Sequence, residues 1–395
     1  MADHAPMVLG ADRRRAPLTA RGLGGAGVFE IDWGRLGRRL ALLTVPVLAV
    51  VQLAVNVLGR GNYAGDFTGG IRPAGWAILH GRSPYPPPHP HQLLVLLHGF
   101  VTPPPIGLVA APLSLLPSPP AIALWNLACV AALALALRVM GVRNKWIYLL
   151  ALCSFPAVDS LENGQPDALF ALAAALAWRY RGSWRGGVSA AFLIAAKLLA
   201  WPLLIWMAVT RRYQALKVTA GATVLIVAGS WAVIGFRGLA QYPHLMAADA
   251  KAFEAFRFSS SLVHILSPLG LSIGATRALA LLVATALAAA IIALARGSDE
   301  GWFTGALTFG VLCSPVVWLH YEVVLFVPLA LARRRPVLMW AVIAYSYWFI
   351  LLFLHTAESR AIGLTAVMVC SVVWATMEPR SAAKARALDA SACPS

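Results

Sequence analysis

Apolar residues in this chain come in long unbroken runs, not in the short alternations of a water-soluble fold. Residues 40–58, 121–137, 218–234, 277–294, 337–354 and 362–377 each approach the ~20 residues needed to cross a bilayer core as a helix. The runs show no inward-polar, outward-apolar alternation, so they predict helices and not barrel strands. Two shorter runs, 146–158 and 168–178, predict further crossings. A patch at 106–116 is too short to span and reads as a segment lying at the interface or dipping in.

Positive charge sets the direction of threading. Arg35, Arg38 and Arg39 precede the first run, so the N-terminus is expected in the cytoplasm and residues 59–119 outside. Cytoplasmic returns follow at Arg138, Arg143 and Lys145, at Arg179, Arg181 and Arg185, and at Arg296. Residues 186–210 have one spanning length but basic residues at both ends. A single crossing would put Arg211, Arg212 and Lys217 outside, so the segment predicts a hairpin of two short helices turning near 197–202. Residues 302–332 repeat the pattern, ending at Arg333–Arg335 with Ser314-Pro315 and Trp318–Tyr321 at their middle. The predicted fold class is all-α: a polytopic transmembrane helical bundle of about 10–12 helices, two of its segments being short-helix hairpins. Residues 1–37 read as a disordered basic cytoplasmic tail, 38–378 as the membrane domain and 379–395 as a cytoplasmic C-terminal tail.

Composition supports the membrane reading. Of 395 residues, 59% are hydrophobic and 12% charged, with mean hydropathy +0.73. Soluble domains carry roughly 25% charged residues. The formal net charge of +16 is gathered in clusters between apolar runs, which is an orientation signal and not a nucleic-acid footprint. Five cysteines form no CxxC pair, and four of them sit inside apolar runs as small buried residues. No cleavable signal is evident.

With this topology the distinctive polar residues fall on the outer side. Asp66 lies in the first outer loop, Glu162, Asn163, Gln165 and Asp167 in the second, and Lys197 and His320 at the two hairpin turns. A lysine in the apolar stretch 193–204 costs about 2.5–3.5 kcal/mol to insert and persists where an acid or a wet cavity receives it. Each residue also has a plain reading: Asp66 as a solvated turn residue, Asp159 and Asp167 as helix-end residues, His320 as a packed histidine, Lys197 as a snorkelling side chain. Four separate segments placing polar groups on one side argue against coincidence.

Three stretches carry a resemblance. They are Gly65-Asp66-Phe67 followed by residues 77–85, ending Gly81-Arg82-Ser83-Pro84-Tyr85; Glu162-Asn163-Gly164-Gln165-Pro166-Asp167 with Gly187, Lys197 and Pro202; and Ser314-Pro315-Val316-Val317-Trp318-Leu319-His320-Tyr321. In order and spacing the chain resembles the GT-C class of membrane glycosyltransferases, specifically glycosyltransferase family 87, the polyprenyl-phosphate-mannose-dependent α-mannosyltransferases. It departs from the pattern at Tyr321, where a second histidine is common, and at Pro166-Asp167. The resemblance implies a cell-membrane enzyme with its active site on the extracytoplasmic side. It would move a sugar, mannose first, from a polyprenyl-phosphate donor to a hydroxyl of a glycolipid or polysaccharide acceptor. Asp66 would be the general base, Lys197, His320 and Arg72 would hold the donor phosphate, and Asn163, Gln165, Tyr321 and Tyr85 would contact sugar or acceptor. A single base without a nucleophilic partner implies inversion. No cofactor, D-x-D triplet or metal motif is expected. The competing expectations are a secondary transporter built on broken helices, and a non-catalytic member of the same fold.

Overall fold

The computed structural model describes residues 33–60, 63–85, 99–254, 256, 259–332 and 336–377. The expected tails, the Pro-rich stretch beyond Tyr85 and the Arg333–Arg335 cluster lie wholly or largely outside these residues. Residues 1–40 form one unit and 41–395 another, and the site described below belongs to the second.

Among the described residues there are seventeen α-helices and no strand. In chain order they are α1 (Trp33–Val55), α2 (Arg72–Leu79), α3 (Pro104–Ser114), α4 (Ser118–Val139), α5 (Lys145–Leu152), α6 (Phe155–Asn163), α7 (Asp167–Arg179), α8 (Trp184–Ala196) and α9 (Leu203–Val209). There follow α10 (Tyr213–Val233), α11 (Tyr242–Phe253), α12 (Leu262–Leu266), α13 (Ile273–Leu294), α14 (Asp299–Leu312), α15 (Phe326–Leu329), α16 (Pro336–Phe353) and α17 (Ala357–Met377). Six stretches are long and apolar enough to cross a membrane: Arg39–Gly59, Ser118–Val139, Tyr213–Val233, Ile273–Leu294, Pro336–Phe353 and Ala357–Met377. They correspond to the six longest apolar runs. Their outward faces carry Leu58, Leu225 and Leu282 at 86%, 74% and 66% exposure, surface that hydrocarbon and not water accommodates. The chain is an integral membrane protein with an all-α fold.

The segment between α7 and α10 is interrupted where the charge pattern predicts. Helix α8 ends at Ala196, Lys197 is extended (φ −148°, ψ 105°), residues Leu198–Ala200 make one 3₁₀ turn, and α9 begins after Pro202. The ends of this segment meet. Arg181, before α8, and Arg212, after α9, both bind Oδ2 of Asp299, at 2.8 and 2.7 Å, and Trp206 donates to its Oδ1 at 2.8 Å. Two residues that share one carboxylate lie at the same face, so the segment returns to where it started. Lys197 lies at the far end of α8, roughly 20 Å away along a 13-residue helix. Gly310 of α14 makes the turn's packing possible. A Cβ there would stand 2.0 Å from the Leu199 carbonyl oxygen, so only glycine lets α14 approach.

The second predicted interruption also forms. Helix α14 stops at Leu312, Trp318 is extended, and Leu319–Leu325 coil as a 3₁₀ helix before α15. Two expectations are corrected. Residues 146–158 are not one crossing: α5 ends at Leu152 and α6 restarts after extended Ser154, with Pro156 in its first turn, where a missing N–H costs nothing. The stretch 235–261, which follows the predicted span 218–234 and is expected as an outer loop on the same charge pattern, contains α11, likewise started by a proline, Pro243.

Candidate functional site

The turn between α6 and α7 organises one half of the site. Gly164 caps α6 in the left-handed region (φ 69°), and a Cβ there would meet Phe67 Cβ at 2.6 Å. Asp66, expected in a loop, instead caps a helical turn (Phe67–Ile71) that runs into α2, and the glycine allows this turn to press against the end of α6. Ala64 N–H donates to the Glu162 carbonyl at 2.6 Å, and Trp125 donates to the Gly164 carbonyl at 2.8 Å while stacking on Phe67. Gripped from both sides, Asp66 meets the next residue of the turn: Gln165 Nε2 donates to Asp66 Oδ2 at 2.6 Å.

The other half comes from the two interruptions. Freed from its helix by the break, Lys197 extends Nζ to Asp167 Oδ1 at 2.6 Å and lies 3.2 Å from the Tyr321 ring centroid. Asp167 is fully buried, so this is a low-dielectric ion pair in which each charge depends on the other. His320, on the 3₁₀ helix, places Nδ1 2.9 Å from Asp159 Oδ2, while its Nε2 lies 3.9 Å from Asp167 Oδ2 with no hydrogen-bond partner. Asp159 in turn accepts from Asn163 Nδ2, at its backbone oxygen (2.8 Å) and at Oδ1 (3.1 Å).

Apart from Asp167, which lies behind the wall, the polar groups of both halves line one cavity of about 680 Å³. Its wall includes Asp66, Asn163, Gln165, Lys197, His320 and Tyr321, six of the eight residues nominated from sequence. Arg72 and Tyr85 are not on it. The Arg72 guanidinium donates to the Leu116 carbonyl at 2.8 Å, just beyond the end of α3, where helix carbonyls lack internal partners. Tyr85 sits in an aromatic cluster with Phe100, Trp231 and Tyr242, and its hydroxyl donates to the Thr102 carbonyl. It supports Phe100 and Thr102, which do line the cavity.

Sequence reasoning set aside or missed several functional-looking groups. Asp159 and Asp167 are the partners of His320 and Lys197, separated from them by 161 and 30 positions. Asp249 of α11 and Arg360 of α17 also face the cavity. Burial pushes the Asp249 carboxyl up to about 6. Among the described residues no group of three or more His, Cys, Asp or Glu side chains is placed to hold a metal ion.

Chemically, the cavity offers a carboxylate oriented by an amide, cationic groups oriented by carboxylates, and hydrogen-bonding side chains between them. At ~680 Å³ it falls within the roughly 300–1,000 Å³ of small-molecule sites. The family model described as glycosyltransferase family 87 matches residues 100–315, more than half of the chain. No curated protein and no solved structure matches it. An all-α bundle with six membrane-length helices, broken helices around a polar cavity and this match lead to one assignment: the chain belongs to glycosyltransferase family 87 and is a membrane glycosyltransferase.

Proposed function

We propose that the protein transfers a sugar, mannose first, from a polyprenyl-phosphate donor to a hydroxyl of a glycolipid or polysaccharide, with inversion, on the extracytoplasmic side. One observation supports this most: Asp66, Gln165, Lys197 and His320, from four separate segments, face the same cavity in a chain of this family. The acceptor O–H attacks the anomeric carbon and gives its proton to the Asp66 carboxylate. The bond from anomeric carbon to phosphate oxygen breaks, its electron pair going to the phosphate. That oxygen gains negative charge, which Lys197 and, as the imidazolium, His320 Nε2 stabilise by hydrogen bonding. Asp167 and Asp159 hold these two donors in place, as second-layer groups do around catalytic centres. Gln165 orients Asp66, while Asn163 and Tyr321 border the sugar. Arg72 and Tyr85 act through the surrounding frame.

Family membership favours transfer over solute transport. The test uses the full chain in proteoliposomes with a polyprenyl-phosphate sugar and a glycolipid acceptor. Transfer by the wild type with an inverted anomeric centre is expected, and Asp66→Asn lowers it by about 10²–10⁴-fold. Transfer retained by that variant overturns Asp66 as base. Absence of transfer from any lipid-phosphate sugar overturns the donor class and leaves a non-catalytic member of the fold.

A further inference from the structure

The cations first nominated for the phosphate are already balanced. Lys197 is paired with buried Asp167, and His320 is flanked by Asp159 and Asp167. Asp66 and Asp249 add further negative charge at the cavity wall. A phosphodiester monoanion entering this space meets an acidic interior unless another cation receives it.

Among the described residues, the arginine on the cavity wall has no acid within ion-pair distance. Arg360 lies in the first turns of α17. Its Nε donates to the Leu354 carbonyl at 2.5 Å and its Nη2 to the Leu351 carbonyl at 3.3 Å, and among the described residues it has no carboxylate partner. A guanidinium carries five N–H donors. Two of them fix the side chain on the end of α16, and the rest are available along the cavity edge.

The surroundings of Arg360 are apolar and open outward. Leu351, Leu352, Ala361 and Leu364 line the same stretch of wall, from α16 and α17. Leu352 is also 52% exposed on the outside of the bundle, beside Phe349 and Phe353 at 58% and 60%. The cavity therefore reaches the lipid-facing surface next to a fixed cation. An apolar slot ending at an unneutralised guanidinium fits a phosphate ester on a long hydrocarbon chain.

We infer that Arg360 anchors the phosphate of the lipid-linked donor at a side opening between α16 and α17, the prenyl chain lying along Leu351, Leu352 and Leu364. This rests on the lipid-phosphate donor proposed above. Arg360 holds the donor in register, and Lys197 and His320 act deeper, at the leaving oxygen.

The test measures binding as well as turnover. Full-length wild type, Arg360→Gln and Arg360→Lys are placed in zwitterionic nanodiscs, and the affinity for polyprenyl phosphate is compared with that for the polyprenyl alcohol. Arg360→Gln is expected to weaken phosphate binding at least tenfold and leave alcohol binding unchanged, with Arg360→Lys intermediate. In transfer, the donor KM rises at least tenfold while kcat stays within about threefold. Unfolding midpoints are recorded in parallel, because Arg360 also caps α16. If Arg360→Gln does not fold, the apolar Arg360→Met decides: phosphate affinity equal to wild type overturns the assignment. Equal phosphate affinity in a folded Arg360→Gln overturns it too. So does a wild-type rate that depends on anionic phospholipid, with that dependence removed by Arg360→Gln and the donor KM unchanged, since the guanidinium then serves bulk lipid. Normal Arg360-dependent binding without any sugar transfer separates failure of the enzymatic reading from failure of this one.

Discussion

Gln165 Nε2 donates to Asp66 Oδ2 at 2.6 Å across 99 positions of sequence. The amide fixes one carboxylate oxygen and so decides where the other points. Asp66→Asn is expected to lower transfer by about 10²–10⁴-fold, the range for loss of a general base, with an unchanged unfolding midpoint. Gln165→Ala retains the proposed base but loses its orientation, so a smaller fall, about tenfold, is expected. Initial rates with a lipid-phosphate sugar measure both, and a Gln165→Ala defect as deep as Asp66→Asn contradicts an orienting role.

Gly164 offers a test of the frame that leaves every polar group in place. Gly164→Ala forces a side chain into the left-handed region, at about 1–3 kcal/mol, and pushes a Cβ to 2.6 Å from Phe67 Cβ. The helical turn that starts at Asp66 must shift. Reduced kcat together with a lower unfolding midpoint is expected, and a variant as active as the wild type is the contrary result.

The Lys197–Asp167 pair predicts non-additivity. Removing either partner alone strands a buried charge, at about 3–5 kcal/mol. Lys197→Met combined with Asp167→Leu should therefore cost less stability than the two single changes summed, by on the order of 1–3 kcal/mol. Chemical unfolding of the four proteins in detergent completes the cycle. Transfer is expected to stay low in all three variants, because the proposed mechanism needs Lys197 held by Asp167.

Asp249 predicts a pH dependence of stability. Its carboxyl is raised to about 6 in the fold, against roughly 3.9 in an unfolded chain. The folded state thus holds this proton more tightly, and the associated stability is present below pH 4 and lost as pH rises through 6. Asp249→Asn removes the cost of the buried charge. Its unfolding midpoint should exceed that of the wild type at pH 8 and match it near pH 4. Lys251, on the same helix, is exposed and leaves the effect in place.

How far the sequence foretold this molecule depends on the distance over which each signal acts. The six long helices follow from run length, a local property, and the break at Lys197 from basic residues at both ends of one span. The proline restart at Pro156 splits an apolar run whose hydropathy is continuous, so run length alone misses it. Asp159 and Asp167 read as helix-end residues because their cations are supplied by other segments. Asp249 sits in an alanine-rich stretch and Arg360 between the last two spans, and neither has a neighbour in sequence that announces a cavity. Arg72 is the opposite case: it opens α2, directly after the turn that carries Asp66, but the orphaned Leu116 carbonyl claims it.

The shared grip of Arg181 and Arg212 on Asp299 has a consequence for biosynthesis. Both arginines are made well before the acid that joins them, since translation runs another 87 residues from Arg212 to Asp299. The Lys197 turn enters the membrane with its two ends unclasped, and it is locked only when α14 arrives. A ribosome stalled between α13 and α14 would therefore expose a nascent chain whose lysine can already meet Asp167 but whose turn is not yet clasped at its two ends, which makes the last quarter of the protein its assembly checkpoint.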